Sequence, residues 1–380
     1  MKLMDSVSPD EKTAWLRLFM TENVGPATFF QLIGRHGTAE KALLALPDYA
    51  KRGGRKKPLL IPAVGDVTKQ MDLCHATGAQ VILYNEHAFP AALRDIADCP
   101  PLLFLRGQAS LFNKTAIAIV GTRRASLNNM NYTRLLAQNL GKAGYPIISG
   151  LALGIDGAAH EGSLDTGTLA VLPGGLDYIY PPKHTPLFQQ IGERGLLVSE
   201  RPFGSPVYAH DFPRRNRIVA GLSSAVIVVE ATEGSGSLIT ARMAKAQDRL
   251  VFAVPGSPSD PRAAGTNSLI KQGAHLVTGP EDVIAVLESQ SIQTPLLQDQ
   301  NTDDPWDIWQ TMKHVRTEDM DAARHDVLAM LDTTPIGVDQ LIRALGLPSP
   351  LVHCLLLELQ LAGRLQRYPG NKVCLGGEGV

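Results

Sequence analysis

Six short, almost wholly apolar runs between Thr115 and about Leu287 constrain the fold more than any other feature of the chain. They are TAIAIVG (115–121), PIISG (146–150), TLAVLP (168–173), LLVSE (196–200), SAVIVVEA (224–231) and LVFAVPG (250–256). A strand with one wet face alternates apolar and polar residues, whereas near-continuous apolar strands require a sheet covered on both faces. Between them stand segments such as Tyr132 to Ala137 and Leu238 to Ala244, with apolar residues at i, i+3 and i+4, the period of a helix. Strand, helix and strand in succession specify βαβ crossovers, hence an α/β domain with a parallel sheet.

The flanks follow other patterns. Residues 1–75 read as short helices, with Trp15, Leu16, Leu18 and Phe19, then Phe29, Phe30, Leu32 and Ile33, then Leu43, Leu44 and Leu46 at helical spacing. This region closes on Lys51-Arg52-Gly53-Gly54-Arg55-Lys56-Lys57, the most basic stretch of the chain, which suits either a solvated loop or a non-specific phosphate contact. Residues 289–321 are polar, acidic and proline-interrupted, the composition of a linker, so few contacts are expected to tie the tail to the rest. In the last domain, 322–380, three helical segments (322–331, 338–345, 349–362) precede a hairpin, 364–368 with 372–375 around Pro369-Gly370-Asn371. Three helices and a two-stranded wing make a winged-helix pattern. Its third helix, SPLVHCLLLELQLAG, carries no Lys or Arg and so lacks the groove-facing cations of a base-reading helix.

At 380 residues the chain has room for two or three domains, and 44% hydrophobic with 19% charged residues describes a globular protein, not a disordered one. A formal net charge of -1 gives no whole-protein field, so a polyanionic partner must be held by a local basic cluster. Cys74, Cys99, Cys354 and Cys374 stand without C-x-x-C or C-x-x-H spacing, which suggests neither disulfide framework nor zinc site. The first residues lack a signal-peptide h-region and no apolar stretch reaches about 18 residues, so a cytoplasmic chain without membrane contact is expected.

In open parallel sheets, ligands sit beyond the carboxyl ends of the strands. The first run ends in Gly121-Thr122-Arg123-Arg124-Ala125-Ser126, where two guanidiniums can fork onto phosphate oxygens. The second leads into Gly150-Leu151-Ala152-Leu153-Gly154-Ile155-Asp156, opening a helix whose amides favour an anion. The third ends in Gly174-Gly175, an approach surface free of side chains, followed by Lys183. The fourth leads to Arg214-Arg215-Asn216-Arg217, where helical geometry puts Arg214 and Arg217 on one face and Arg215 elsewhere, so that at least one is structural. The fifth ends at Glu230 and then Ser235-Gly236-Ser237, a hydroxyl-and-amide nest at a helix start. Singly, each has a structural explanation: arginines pair with carboxylates, glycines turn chains, and Ser237 can be a helix cap. Recurrence at the ends of one sheet favours a phosphate-rich ligand. Neither G-x-G-x-x-G nor G-x-x-x-x-G-K-[ST] is present, which removes the main support for a nicotinamide or nucleoside-triphosphate cofactor. Asp156 and His160, four apart, have metal-ligand or acid-base spacing, but no third ligand follows and Asp156 suits a helix start.

The ordered series GTRRAS, SGLALGIDGAAH, GGLDYIYPP, FPRRNRIVAGLS, GSGSLITA, VFAVPG and GTNSLIKQGA closely resembles the signatures of the DNA-processing protein A family, also called DprA or Smf. The likeness covers about residues 85–287 and extends, more weakly, to the helical N-terminal module and the winged tail. It implies an extended Rossmann-like central domain over 76–288 between a sterile-alpha-motif-like or helix-hairpin-helix-like domain and a winged-helix domain. It further implies a non-enzymatic homodimer that needs no cofactor, binds single-stranded DNA and loads the RecA recombinase onto it during natural transformation. Transferred by motif position, Arg123, Gly174, Gly175, Arg214, Arg215, Arg217, Ser235 and Ser237 are candidate DNA ligands; Arg124, Ser126, Gly150, Lys183, Asn216 and Gly236 complete the set from the strand ends. The chain departs from the family at Leu153, where arginine is usual, and at Leu127 and Asn128, which replace a Tyr-Gly pair. The rival reading is a nucleotide-processing enzyme, since Rossmann-like phosphoribohydrolases share the P-G-G turn. Their motif continues G-T-x-x-E, whereas here Leu176-Asp177-Tyr178-Ile179 follows, without the glutamate that would stabilise a sugar cation.

Overall fold

The computed structural model describes residues 3–5, 7–293, 317–368 and 370–376. The chain divides into two compact units, Met1–Ser6 with Lys69–Leu296, and Val7–Thr68 with Leu297–Val380. In chain order the N-terminal helices are α1 (Pro9–Phe19), α2 (Pro26–His36), α3 (Ala39–Arg52) and α4 (Val64–Ala76). Ser8 and Thr38 cap α1 and α3 by accepting the amides of Glu11 and Lys41, and Pro9 and Pro26 occupy first turns that need no donor. Trp15 packs on Phe29 with centroids 4.8 Å apart, joining α1 to α2.

The first unit is built on one nine-stranded sheet. Its elements are β1 (Ala79–Leu83), α5 (Ala91–Arg94), β2 (Leu102–Gly107), β3 (Ile117–Gly121), α6 (Leu127–Lys142), β4 (Ile147–Ser149), α7 (Ile155–Ser163) and β5 (Thr168–Leu172). Then follow α8 (Thr185–Arg194), β6 (Leu196–Ser199), α9 (Asp211–Gly221), β7 (Ala225–Val229), α10 (Gly236–Ala246), β8 (Leu250–Ala253), α11 (Ala264–Lys271), β9 (His275–Leu276) and α12 (Pro280–Gln293). The strand order is β1-β2-β6-β5-β4-β3-β7-β8-β9. From β6 to β9 all neighbours are parallel; β2 is antiparallel to β6, and β1 to β2.

All six runs read from the sequence are strands of this sheet, and β3, β5, β6 and β7 are buried along nearly their whole length, as a doubly covered sheet requires. From β3 the chain winds outward through β4, β5 and β6, then crosses back to place β7 on the other side of β3. The reversal leaves a crevice beyond the carboxyl ends of β3 and β7, where this fold class binds ligands. Not anticipated were β1 and β2, an antiparallel pair without a crossover helix, and the two-residue edge β9.

The tail comprises α13 (Thr317–Met330), β10 (Ile336–Gly337), α14 (Val338–Leu345), α15 (Ser349–Leu361), β11 (Leu365–Tyr368) and β12 (Lys372–Leu375). The two-stranded wing is there, and β10 adds a third strand beside β12; Pro369 of its turn lies outside the described residues. Both ends of the expected 289–321 linker are helical, since α12 continues to Gln293 and α13 begins at Thr317. No Gly or Pro interrupts 281–294, and Asp282 holds the start of α12 by accepting the amides of Thr278 and Gly279. The rest of that linker, 294–316, lies outside the described residues.

Contrary to the independence expected of it, the tail shares its unit with α1–α3. One side of α15, Leu351, Val352, Leu355, Leu356 and Leu359, fills the core of the winged module. The other side meets the N-terminal helices: Arg35 reaches Cys354 Sγ at 2.8 Å, and Glu358, fully buried, pairs with Arg52 at 2.8 Å and Arg324 at 2.5 Å. A helix covered on both sides needs leucine all round, which is why α15 carries no groove-facing cations. Among the described residues no single helix is long and apolar enough to cross a membrane.

Candidate nucleic-acid interface

The β3 loop is held by Glu230, the residue after β7. Its backbone lies in the left-handed region (φ 57°), its carbonyl accepts the Thr122 amide at 2.8 Å, and its Oε2 accepts Ser126 N at 3.0 Å, Ser126 Oγ at 3.2 Å and Asn129 Nδ2 at 3.0 Å. Arg262 approaches the other carboxylate oxygen at 3.2 Å. Ser126 also caps α6 by accepting Asn129 N. Its hydroxyl is thus engaged in fixing the loop, contrary to its expected place among the phosphate ligands. Between these anchors Arg123 and Arg124 remain exposed.

Arg123 lies over the Phe212 ring, 5.0 Å from its centroid, and Phe212 meets Tyr180 edge-on at 5.5 Å. Tyr180 precedes Pro181-Pro182-Lys183, and Lys183 is exposed; Arg214, two residues after Phe212, is exposed as well. The loops after β3 and β5 and the start of α9, which follows β6, therefore meet in one crown of Arg123, Phe212 and Tyr180, bordered by Lys183 and Arg214. Around it Tyr178 and Tyr208 are exposed, and Tyr208 stacks on His210 at 5.6 Å. Among the described residues no carboxylate pairs with Arg123, Arg124, Lys183 or Arg214.

The aromatic members stand outside the cation and glycine pattern that marks the strand ends in the sequence. Their signal was legible: Asp177-Tyr178-Ile179-Tyr180-Pro181 lies outside every strand and helix, so no periodicity buries its tyrosines. Of the departures from the family motifs, Leu127 at the start of α6 and Leu153 in the loop after β4 are exposed apolar residues, at 67% and 36%, and Asn128 is exposed too.

Other candidates have internal roles. Arg215 is buried, and its Nη1 donates to the carbonyls of Gly150, at 2.6 Å, and Val171. Desolvation pulls its pKa down to about 10, partly offset by Asp156, so it remains charged at neutral pH. Gly150 is glycine because a Cβ there would strike this guanidinium, so it seats Arg215 and offers no open surface to a phosphate. Arg217 is buried between Glu200, 2.6 and 2.7 Å from its Nη2, and Asp98, 3.1 Å from its Nε. The expected face shared by Arg214 and Arg217 is thus divided: only Arg214 points to solvent, because α9 is buried on both flanks.

Gly174 and Gly175 are buried under the 202–207 segment, their missing side chains making room for Val207 and for Pro202 O. Ser235 caps α10, its hydroxyl bonded to Ser237 Oγ at 2.7 Å; Ser237 is buried, Asn216 half-buried, and Gly236 open. The Asp156 and His160 pair is structural too. Asp156 accepts the amides of Gly150 and Ala152 at 3.2 and 3.4 Å, while His160 Nδ1 meets Thr168 Oγ1 at 2.7 Å.

Burial holds His160 neutral, its pKa pushed down to about 3 by desolvation, then by His184 and Arg215. Its ordinary value is 6.5, so on acidification the unfolded chain takes up this proton first. The stability His160 lends is complete above about pH 6.5 and should fall by up to about 1.4 kcal/mol per pH unit between there and about pH 3. Urea midpoints across that range should decline less steeply in His160→Gln; an identical decline would place the proton uptake elsewhere.

Fold and site together define a doubly wound α/β protein with a cationic, aromatic crown beside its switch point, suited to a phosphate backbone with bases attached. Three family models match in order: a DprA-like N-terminal HHH domain over 9–72, DNA recombination-mediator protein A over 80–288, and a DprA winged helix domain over 313–371. The chain belongs to the DNA recombination-mediator protein A family. It is 39% identical over 290 residues to Protein Smf of Escherichia coli K12, covering 76% of this chain and 75% of that one. With Protein Smf of Synechocystis the identity is 32% over 395 residues, covering 95% and 98%. The solved structure of DNA processing protein A from Streptococcus pneumoniae superposes with a TM-score of 0.60 at 34% identity, covering 75% of this chain and 98% of that one. A Helicobacter pylori structure, described in terms of its single-stranded DNA binding mode, gives 0.52 at 32%, covering 56% and 96%.

Proposed function

We propose that this chain binds single-stranded DNA without sequence preference at the crown, with Arg123, Arg124, Lys183 and Arg214 on phosphates and Tyr180 and Phe212 offering faces to bases. The observation that carries this is the cluster in which Arg123 lies over Phe212 and Phe212 meets Tyr180 edge-on, beside exposed cations that pair with no carboxylate among the described residues. Cations that track a backbone beside exposed rings are the recurring equipment of single-strand binders, because every base has a face to stack. The related Helicobacter pylori protein, whose structure concerns this same activity, supports the reading. Membership of a recombination-mediator family supports the further step, in which the bound strand is passed to a RecA-class recombinase by a homodimer acting without catalysis of its own.

A mobility-shift comparison of single-stranded and duplex oligonucleotides of equal length, across a salt series, tests the binding step. Single strands should bind more tightly, and the phosphates neutralised at the crown, about three to four of them, should contribute about -2 to -3 to the slope of log K against log salt. Equal affinity for both forms, or a flat salt response, would overturn the crown as the site. Release of free base from nucleoside monophosphates would overturn the non-catalytic reading.

A further inference from the structure

The basic run at 51–57 is not part of the crown; it belongs to the second unit, where the fold gives it a continuation. Past the end of α3, Gly53 lies against the last turn of α15 so closely that a Cβ would collide with the Glu358 carbonyl and the Ala362 methyl. The pair Gly53-Gly54 thus lets the loop lie flat on the winged module. There Arg364, just beyond α15, extends over Gly54 and reaches Gly53 O at 3.5 Å, while Arg55 faces Gly363. Two basic pieces some 300 residues apart in sequence form one surface.

The charges on this surface are only partly compensated. Glu358 neutralises Arg52, and Glu22 takes Arg55 at 2.5 Å. Lys51, Lys56, Lys57 and Arg364 are exposed, and among the described residues no carboxylate pairs with them. Asp48, one turn before Lys51, is the nearby exposed acid on α3. The helix dipole accounts for cations in the last turn of α3, Lys51 and Arg52, but not for Lys56, Lys57 and Arg364, which lie beyond the helix. Lysines are depleted from protein–protein interface cores, whereas strongly hydrated point charges on flexible stems suit phosphates.

We propose that the 51–57 loop and Arg364 form a second nucleic-acid surface, which holds the phosphate backbone independently of sequence and is distinct from the crown. The winged module then contributes the end of α15 and the start of its wing, not a reading helix. The proposal shares with the function above only the identity of the polyanion.

Lysine acetylation of the full chain, mapped by mass spectrometry with and without a long oligonucleotide, tests it, with single strand and duplex as separate arms. Lys56 and Lys57 should be protected several-fold in at least one arm. Unchanged modification there with Lys183 protected overturns the second surface alone; unchanged modification at all three overturns the crown as well. As a second measurement, Lys56→Gln/Lys57→Gln/Arg364→Gln should make the salt slope for the protecting form shallower by about 2–3, at about 0.7–0.9 per phosphate contact. An unaltered slope in the folded variant overturns the proposal.

Discussion

Arg217→Ala should lower the folding stability by about 3–5 kcal/mol while leaving the DNA affinity of the folded fraction within about threefold. The Arg217 side chain is 5% exposed and Glu200 12%, so the pair lies away from water. Burial alone would pull the guanidinium pKa down, yet Glu200 and Asp98 more than compensate and hold it above its ordinary value. Truncation leaves Glu200 as a mostly buried carboxylate without its nearest counter-charge, and that uncompensated charge, rather than the lost attraction, dominates the loss. Asp98, half exposed, can return to water and adds little. Equilibrium urea unfolding measures the effect; a folded, equally stable variant with weakened DNA binding would return Arg217 to the interface.

Arg215 belongs with Arg217. Its guanidinium ties the carbonyl ends of β4 and β5 together from α9, so it shapes the floor under the crown without reaching the surface. The sequence alone shows three arginines within four residues of a helix, and the helical period says only that they do not share one face. Which of them point inward depends on what packs against each flank, and those partners are distant in sequence: Asp98 and Glu200 on one side, Gly150 and Val171 on the other.

The parallel sheet was legible because burial on both faces writes itself into each strand as an unbroken apolar run. The β1–β2 pair was not, since VIL and LLFL are short and the connection between them contains no crossover helix to mark them. The docking of α15 was half legible. Its excess of leucine argued against base reading, but only the structure shows the second layer, in which α3 and the Gly53 turn cover the far side. The crown was read through its cations and not its rings, because tyrosines outside regular elements carry no periodicity to point at.

Replacing both Arg123 and Lys183 with alanine should reduce single-strand affinity by about a hundredfold or more with little change in stability. A charge-assisted hydrogen bond to phosphate contributes about 1.5–3 kcal/mol, so two such contacts amount to at least about 3 kcal/mol. Both side chains are exposed, and the ring contact at risk, Arg123 over Phe212, contributes about 0.5–1 kcal/mol. The salt slope should become shallower by about 1.4, two single-strand contacts at about 0.7 each. Phe212→Leu separates charge from stacking: it removes a ring and no cation, so affinity should fall by about 1–3 kcal/mol with the slope unchanged. If the double variant binds as tightly as the native chain, the exposed cations of the β3 and β5 loops are not the phosphate contacts. If Phe212→Leu alters the slope, the ring acts by positioning Arg123 rather than by meeting a base. The opposite signatures of Arg217→Ala, stability without affinity, and of this pair, affinity without stability, divide the cations near the strand ends into those that build the crown and those that use it.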